Sequence, residues 1–254
     1  YAFLMSGRNS RCLNHNEEDK AVLVRRTRAS RSKFFVTPGC GVDPLVFPYV
    51  DERPSNDPPV VLVPTRLVKQ KGVAEAVAAS GRLRDRGVRH EMRFTGGREP
   101  HPYVRVTDED IDRFERENPC VRFLGFQPSM PPVFADADVV CYPTRYPEGT
   151  PTGLIEAAAS GRPAVTCDTV GAREIVIDGV TGFVVPQLDV VALADALQVL
   201  LSDAALYERM RRAAYQHFLA HYTKDAALVA TLATLESLGC RFDTPKTAPD
   251  IRVV

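Results

Sequence analysis

The stretch PEGTPTGLIEAAASGRPAV, residues 147–165, decides the architecture. It follows the apolar run ADVVCYP (137–143) and leads into a second one, PAVTC (163–167). Between them lie a turn with Gly149, Pro151 and Gly153 and an alanine-rich segment. Pro151 fits the first position of a helix and Thr150 its cap, which predicts a helix start near Thr150 or Thr152 and a helix over 153–159. Strand, turn, helix, strand is the unit of a parallel sheet, because parallel strands need a crossover connection.

The same alternation extends outward. VVLVP (60–64) is a short apolar, β-branched run, as expected of a strand buried on both faces, and HEMRFTGG (90–97), VRFLG (121–125) and GFVVP (182–186) read as further strands. Helices are predicted over 72–86, with Val73, Val77 and Leu83 on the apolar side, and over 107–117, where Thr107 and Asp110 form a capping box. Shorter ones fall at 131–135 and 172–177. Asp189 caps a helix to 201, Asp203 another to about 218, and a last one covers 224–238. Six strands alternating with helices predict an α/β fold with a doubly wound parallel sheet. Upstream, 17–27 reads as a helix and FFV (34–36) as a strand. The prolines at 44, 48, 54, 58 and 59, set among acidic and small polar residues, predict an interdomain linker. The tail after 240 reads as irregular.

Composition excludes several classes. Thirty-two basic residues balance thirty-two acidic ones, without the basic excess of a nucleic-acid binder. The six cysteines are scattered without a C-x-x-C pair, which argues against zinc and suits a reducing compartment. No run approaches the roughly 18 apolar residues of a membrane span, and no signal peptide is visible. The chain opens on Tyr1 rather than Met, so it is expected to be a piece of something longer.

Doubly wound sheets bind ligands beyond the carboxyl ends of their strands. After VVLVP come Arg66 and Lys71, a planar fork of donors and a compact cation that together suit a diphosphate. In the opening stretch, Gly149 and Gly153 would leave backbone N–H groups bare at a helix N-terminus, an anion site. Glu156 lies one turn into that helix, about 6 Å along it, placed to accept two hydrogen bonds from a ribose diol. Glu148, before the turn, would accept from hydroxyls on whatever the phosphates carry. For each charge alone, a solvated surface role is the plainer reading. Two cations and two acids at neighbouring strand ends favour a site.

In order and spacing, RLVKQKG, VRFLGF, ADVVCYPT, EGTPTGLIEAAASGRPAV, GAREIVIDG and GFVVP resemble the donor-binding half of retaining glycosyltransferases of the GT-B fold, specifically glycosyltransferase family four. The resemblance covers about residues 59–222. It implies a Rossmann-like domain in which Arg66, Lys71 and Glu148 form the catalytic set. Glu156, Gly149, Thr150, Pro151, Thr152, Gly153, Gly125 and Phe126 would hold the donor, with Glu156 on the ribose and the backbone of Gly125 and Phe126 on the base. It implies a nucleotide-diphosphate sugar, by preference a UDP-sugar, as donor and a glycan or polyprenyl-linked acceptor in bacterial polysaccharide synthesis, with no cofactor and no metal. Residues 1–50 would end an N-terminal acceptor-side domain that is mostly absent, 51–59 link it, and 60–222 bind donor. Residues 223–254 would carry a helix crossing back. Such a piece is expected to turn over little alone, in the cytoplasm or at the inner membrane face. A nucleotide-sugar epimerase of the same fold and a non-catalytic nucleotide- or carbohydrate-binding module stand as alternatives.

Other signals carry less. Asp136 and Asp138 spell D-A-D, but a hard cation needs further convergent oxygens. GCGVDP lacks the third small residue of a dinucleotide fingerprint. His90-Glu91 is not part of a two-histidine zinc motif, and His15, His101, His217 and His221 read as surface or structural. Asp168 and Glu174 are explained equally well as helix caps.

Overall fold

A computed structural model describes residues 7, 10–97 and 104–241. His101 and the tail from 242 lie outside the described residues. The main body is a six-stranded parallel sheet, β3 (Val60–Pro64), β4 (Glu91–Thr95), β5 (Val121–Gly125), β6 (Val139–Tyr142), β7 (Ala164–Cys167) and β8 (Gly182–Val185). Strand order is β5-β4-β3-β6-β7-β8. The chain winds outward one way from β3 and the other way from β6, so the topological switch falls between these two strands. Their carboxyl ends open the crevice in which such sheets bind ligands.

The period-two alternation of strands divides the core. Val61, Val63, Met92, Phe94, Cys141 and Val165 face one way. There they pack on α2 (Val73–Asp85), α3 (Asp108–Glu117) and α7 (Val190–Ser202). Val60, Leu62, Val140, Tyr142 and Ala164 face the other way. On that side lie α4 (Pro131–Ala135), α5 (Thr152–Ala159), α6 (Ala172–Ile175) and the end of α8 (Ala204–His221). Both faces are covered at β3, β6 and β7, which is why these three read as continuous apolar runs, whereas β4 and β5 alternate buried residues with Arg93 and Arg122. Thr107 and Asp110 form the capping box of α3, and Asp189 and Asp203 cap α7 and α8.

Upstream, β1 (Cys12–Asn14) and β2 (Phe34–Val36) make a two-stranded parallel sheet flanking α1 (Glu17–Thr27). Residues 51–59 are packed down: Arg53 and Asn56 donate to the buried carboxylate of Asp138, at 2.8 and 3.0 Å. The last described helix, α9 (Lys224–Glu236), follows a bridge between Val42 and Thr223. No single helix among the described residues is long and apolar enough to cross a membrane.

Candidate functional site

The loops after β3 and β6 are locked together at Gly72. A 3-10 turn (Lys69–Lys71) ends there in the left-handed conformation, with φ 74°. A Cβ on Gly72 would lie 2.0 Å from the carbonyl oxygen of Pro143, so backbone approaches backbone where no other residue fits. Arg145 reinforces the contact: its N–H donates to Gln70 O at 2.9 Å and its guanidinium to Lys69 O at 2.9 Å. This closure delivers Lys71, buried at 7% exposure, to Glu148. Their Nζ–Oε1 distance is 2.6 Å. Lys71 also donates to the Tyr142 hydroxyl at 3.2 Å, and that hydroxyl donates to both Glu148 oxygens at 3.3 Å.

Beside this pair, between the ends of β3, β4 and β5 and the start of α5, is a cavity of about 250 Å³. Arg66, Gly153, Glu156, Phe126 and the Gly96–Gly97 backbone line it. Burial pushes the Glu156 carboxyl up to about 7, because its ionised form is stripped of water. Phe126 stands 75% exposed at the rim, next to Gly125, whose carbonyl accepts from Gly96 N–H at 2.9 Å. The expected quartet therefore splits in two. Arg66 and Glu156 share the cavity; Lys71 and Glu148 stand beside it and pair with each other. Tyr142 joins the halves, since its phenol feels the charges of Glu148, Arg66 and Glu156 at once.

The turn itself departs from expectation. Helix α5 starts at Thr152, and its cap residue is Pro151, without any side-chain cap. Thr150, expected to cap it, lies one residue outside and donates to His15 O at 3.4 Å. Thr150 and Thr152 line a smaller cavity, about 100 Å³, with His15, Gly39 and Cys40. At Gly149 the space a side chain would take is filled by the protein: a Cβ there would lie 2.8 Å from the His15 ring. Asn16, the buried cap of α1, donates to Gly149 O at 3.2 Å. Gly153 does line the main cavity, and a Cβ on it would touch Tyr142 and the Pro64 carbonyl, both at 3.4 Å.

Three residues of the site were not found from sequence: Tyr142, His15 and Asn16. The signal for Tyr142 was present, a lone hydroxyl at the carboxyl end of an apolar strand. The contacts of His15 and Asn16 with the turn have no local signal at all. Asp138 is 1% exposed and accepts from Val60 N–H at 2.8 Å, so its carboxylate is committed to holding β3. Among the described residues no group of three or more His, Cys, Asp or Glu is arranged to hold a metal ion.

Residues 58–203 match the family model described as glycosyl transferases group 1. The chain is 32% identical over 195 residues to a glycogen synthase of Mycobacterium tuberculosis, covering 75% of this chain and 45% of that protein. It is 30% identical over 174 residues to the alpha-D-kanosaminyltransferase of Streptomyces kanamyceticus, covering 68% and 44%. The chain thus spans about half the length of the curated relatives it matches. Among solved structures, Anabaena HepE in complex with UDP superposes with a TM-score of 0.77 at 20% identity, covering 90% of this chain and 64% of that one. At that identity the likeness establishes the fold.

Proposed function

The chain belongs to the glycosyl transferases group 1 family, and from that premise we propose that it is the nucleotide-sugar-binding half of a retaining glycosyltransferase. One observation carries the reading: Arg66 and Glu156 line a single cavity at the topological switch, with the Lys71–Glu148 pair at its side. A cation and a buried carboxylate lining one cavity suit a nucleoside diphosphate, the ribose diol donating to Glu156 and the diphosphate meeting Arg66, Lys71 and the amide end of α5. The base lies against Gly125 and Phe126, and Glu148 accepts from the hydroxyls of the sugar. A structural neighbour that holds UDP supports a UDP-sugar as donor. A glycogen synthase among the relatives supports a growing glycan as acceptor, in polysaccharide synthesis.

In transfer, the bond from the sugar's anomeric carbon to the diphosphate breaks, and the electron pair leaves with the diphosphate. Charge grows on that leaving group in the transition state, so fixed cations aimed at it lower the barrier, in the place a metal ion takes elsewhere. Residues 60–222 are then the donor-binding unit, 51–59 the link, 1–50 the end of an acceptor-side domain and 223–254 the segment that returns to it. This piece alone turns over little. The intact enzyme works in the cytoplasm, and at the inner membrane face if its acceptor is lipid-linked.

Calorimetric titration with UDP, GDP and ADP tests the assignment. One diphosphate is expected to bind, and Glu156→Ala and Arg66→Ala each to weaken it about tenfold or more, the loss of a charge-assisted hydrogen bond. Equal binding by wild type and both variants, or none by any, overturns it.

A further inference from the structure

Tyr142 closes β6 and is 5% exposed, on the same sheet face as Val140. Its hydroxyl is donor to both oxygens of Glu148 and acceptor from Lys71, so it completes a three-membered ring of contacts with the 2.6 Å ion pair. An ammonium has three N–H donors. The described contacts of Lys71 use two of them, on Glu148 and Tyr142, which leaves one for an incoming oxygen. The aromatic ring has its own fixed seat. Gly153 gives α5 room to sit against it, the Lys71 ammonium lies 5.3 Å from its centre, and buried Thr166 donates to its backbone carbonyl at 2.8 Å.

We propose that Tyr142 is a positioning residue for the diphosphate end of the site. The proposal rests on the nucleotide-sugar reading above. Lys71 and Glu148 carry long, rotatable side chains, and an ion pair between them alone is free to swing as a unit. Two further bonds from one rigid phenol fix the plane of the carboxylate and keep the ammonium from turning wholly onto it. The third Lys71 donor is then held in place before the ligand arrives, and the ordering cost is not charged to binding. The described hydrogen bonds of the hydroxyl go to Lys71 and Glu148 and none to Glu156, so it meets the nucleoside end through charge alone.

Tyr142→Phe keeps the ring and removes only the hydroxyl. Titrations compare each diphosphate with its own nucleoside: UDP with uridine, GDP with guanosine, ADP with adenosine. The expected result is a loss of about five- to tenfold for the diphosphate that binds, the worth of one or two hydrogen bonds, with nucleoside affinity unchanged. Thr166→Val, which loosens the strand end without touching a charged group, serves as the control for a structural effect and should lower stability while leaving the diphosphate-to-nucleoside ratio as in wild type. If Tyr142→Phe binds the diphosphate as wild type does, or weakens both ligands alike, the positioning role is overturned while the nucleotide reading stands. If wild type binds none of the six ligands, the nucleotide reading fails and this inference falls with it.

Discussion

Glu156 is held where its charge is costly. An exposed glutamate titrates near 4.5; burial moves this one up to about 7. The sign follows from linkage: between those values the unfolded chain has already released the proton that the folded chain keeps. Stability contributed by this group therefore falls as pH rises through the window and stays lower above it. Glu156→Gln removes the charge and keeps the shape. Its melting temperature should be close to wild type at pH 4.5 and exceed it by roughly 5–10 °C at pH 8. A variant no more stable than wild type at pH 8 would refute the buried-carboxylate assignment. On the proposed reading the trade is the usual one at a binding site: a group that costs the fold is retained because the ligand repays its desolvation. His90 shows a contrasting case. It is buried between Ser80, at 2.7 Å, and the Val88 carbonyl, at 2.9 Å, and burial lowers its pKa, so it stays neutral and structural.

At the scale of elements, Asp138 ties three pieces together at the entrance to β6. Its carboxylate accepts from Val60 N–H, Arg53 Nε and Asn56 Nδ2. Asp138→Ala would strand a buried N–H and a guanidinium, at a cost of about 3 kcal/mol, checked by urea unfolding. Asp138→Asn should cost less, since the amide oxygen still accepts from Val60; equal stability of all three proteins would show that the contacts contribute nothing. The contrast with the sequence reading is instructive here. β3, β6 and β7 were legible because burial on both faces writes an unbroken apolar run, and β4, β5 and β8 because short apolar-bearing segments end in turn residues. The caps Thr107, Asp189 and Asp203 were legible because capping is chemistry within three residues. β1 was not, since three mixed residues become a strand only by pairing with β2. The start of α5 was misplaced by the same kind of long-range effect: Thr150 turned away from the helix to His15. For the site, strand ends named Arg66, Lys71, Glu148 and Glu156. Which of them pair, and through what, depends on Gly72 meeting Pro143, a contact no local pattern encodes.

Across the whole molecule, the upstream segment meets the main body at several places besides the turn at Gly149, two of them near residues 42 and 50. Val42 N–H donates to Tyr222 O at 3.0 Å and Lys224 N–H to Val42 O at 2.9 Å. The second crossing is a buried cation. Arg211 is fully buried on α8 and donates to the carbonyls of Val50, Asp51 and Gly161. Its guanidinium lies 4.8 Å from the centre of the Tyr49 ring, which stacks on Tyr215 at 4.4 Å. Among the described residues its carboxylate partner is Glu208, at 3.2 Å, itself partly exposed. The charge is thus satisfied largely by backbone dipoles of residues 50 and 51, and the fork geometry of arginine is what reaches them together. Lysine carries the charge but not the fork. Arg211→Lys should free the strap without unfolding the sheet, whose cores do not depend on residues 49–51. Chymotrypsin cleavage after Tyr49 should then speed up by about tenfold, the change in open population that a loss of 1.4 kcal/mol produces when opening is fast. Cleavage after Tyr207 and Tyr215, inside α8, should keep its wild-type rate. If cleavage after Tyr49 is unchanged, Arg211 is not what holds the strap. If all sites accelerate together, the substitution has loosened the whole body, and the strap is not a separable unit.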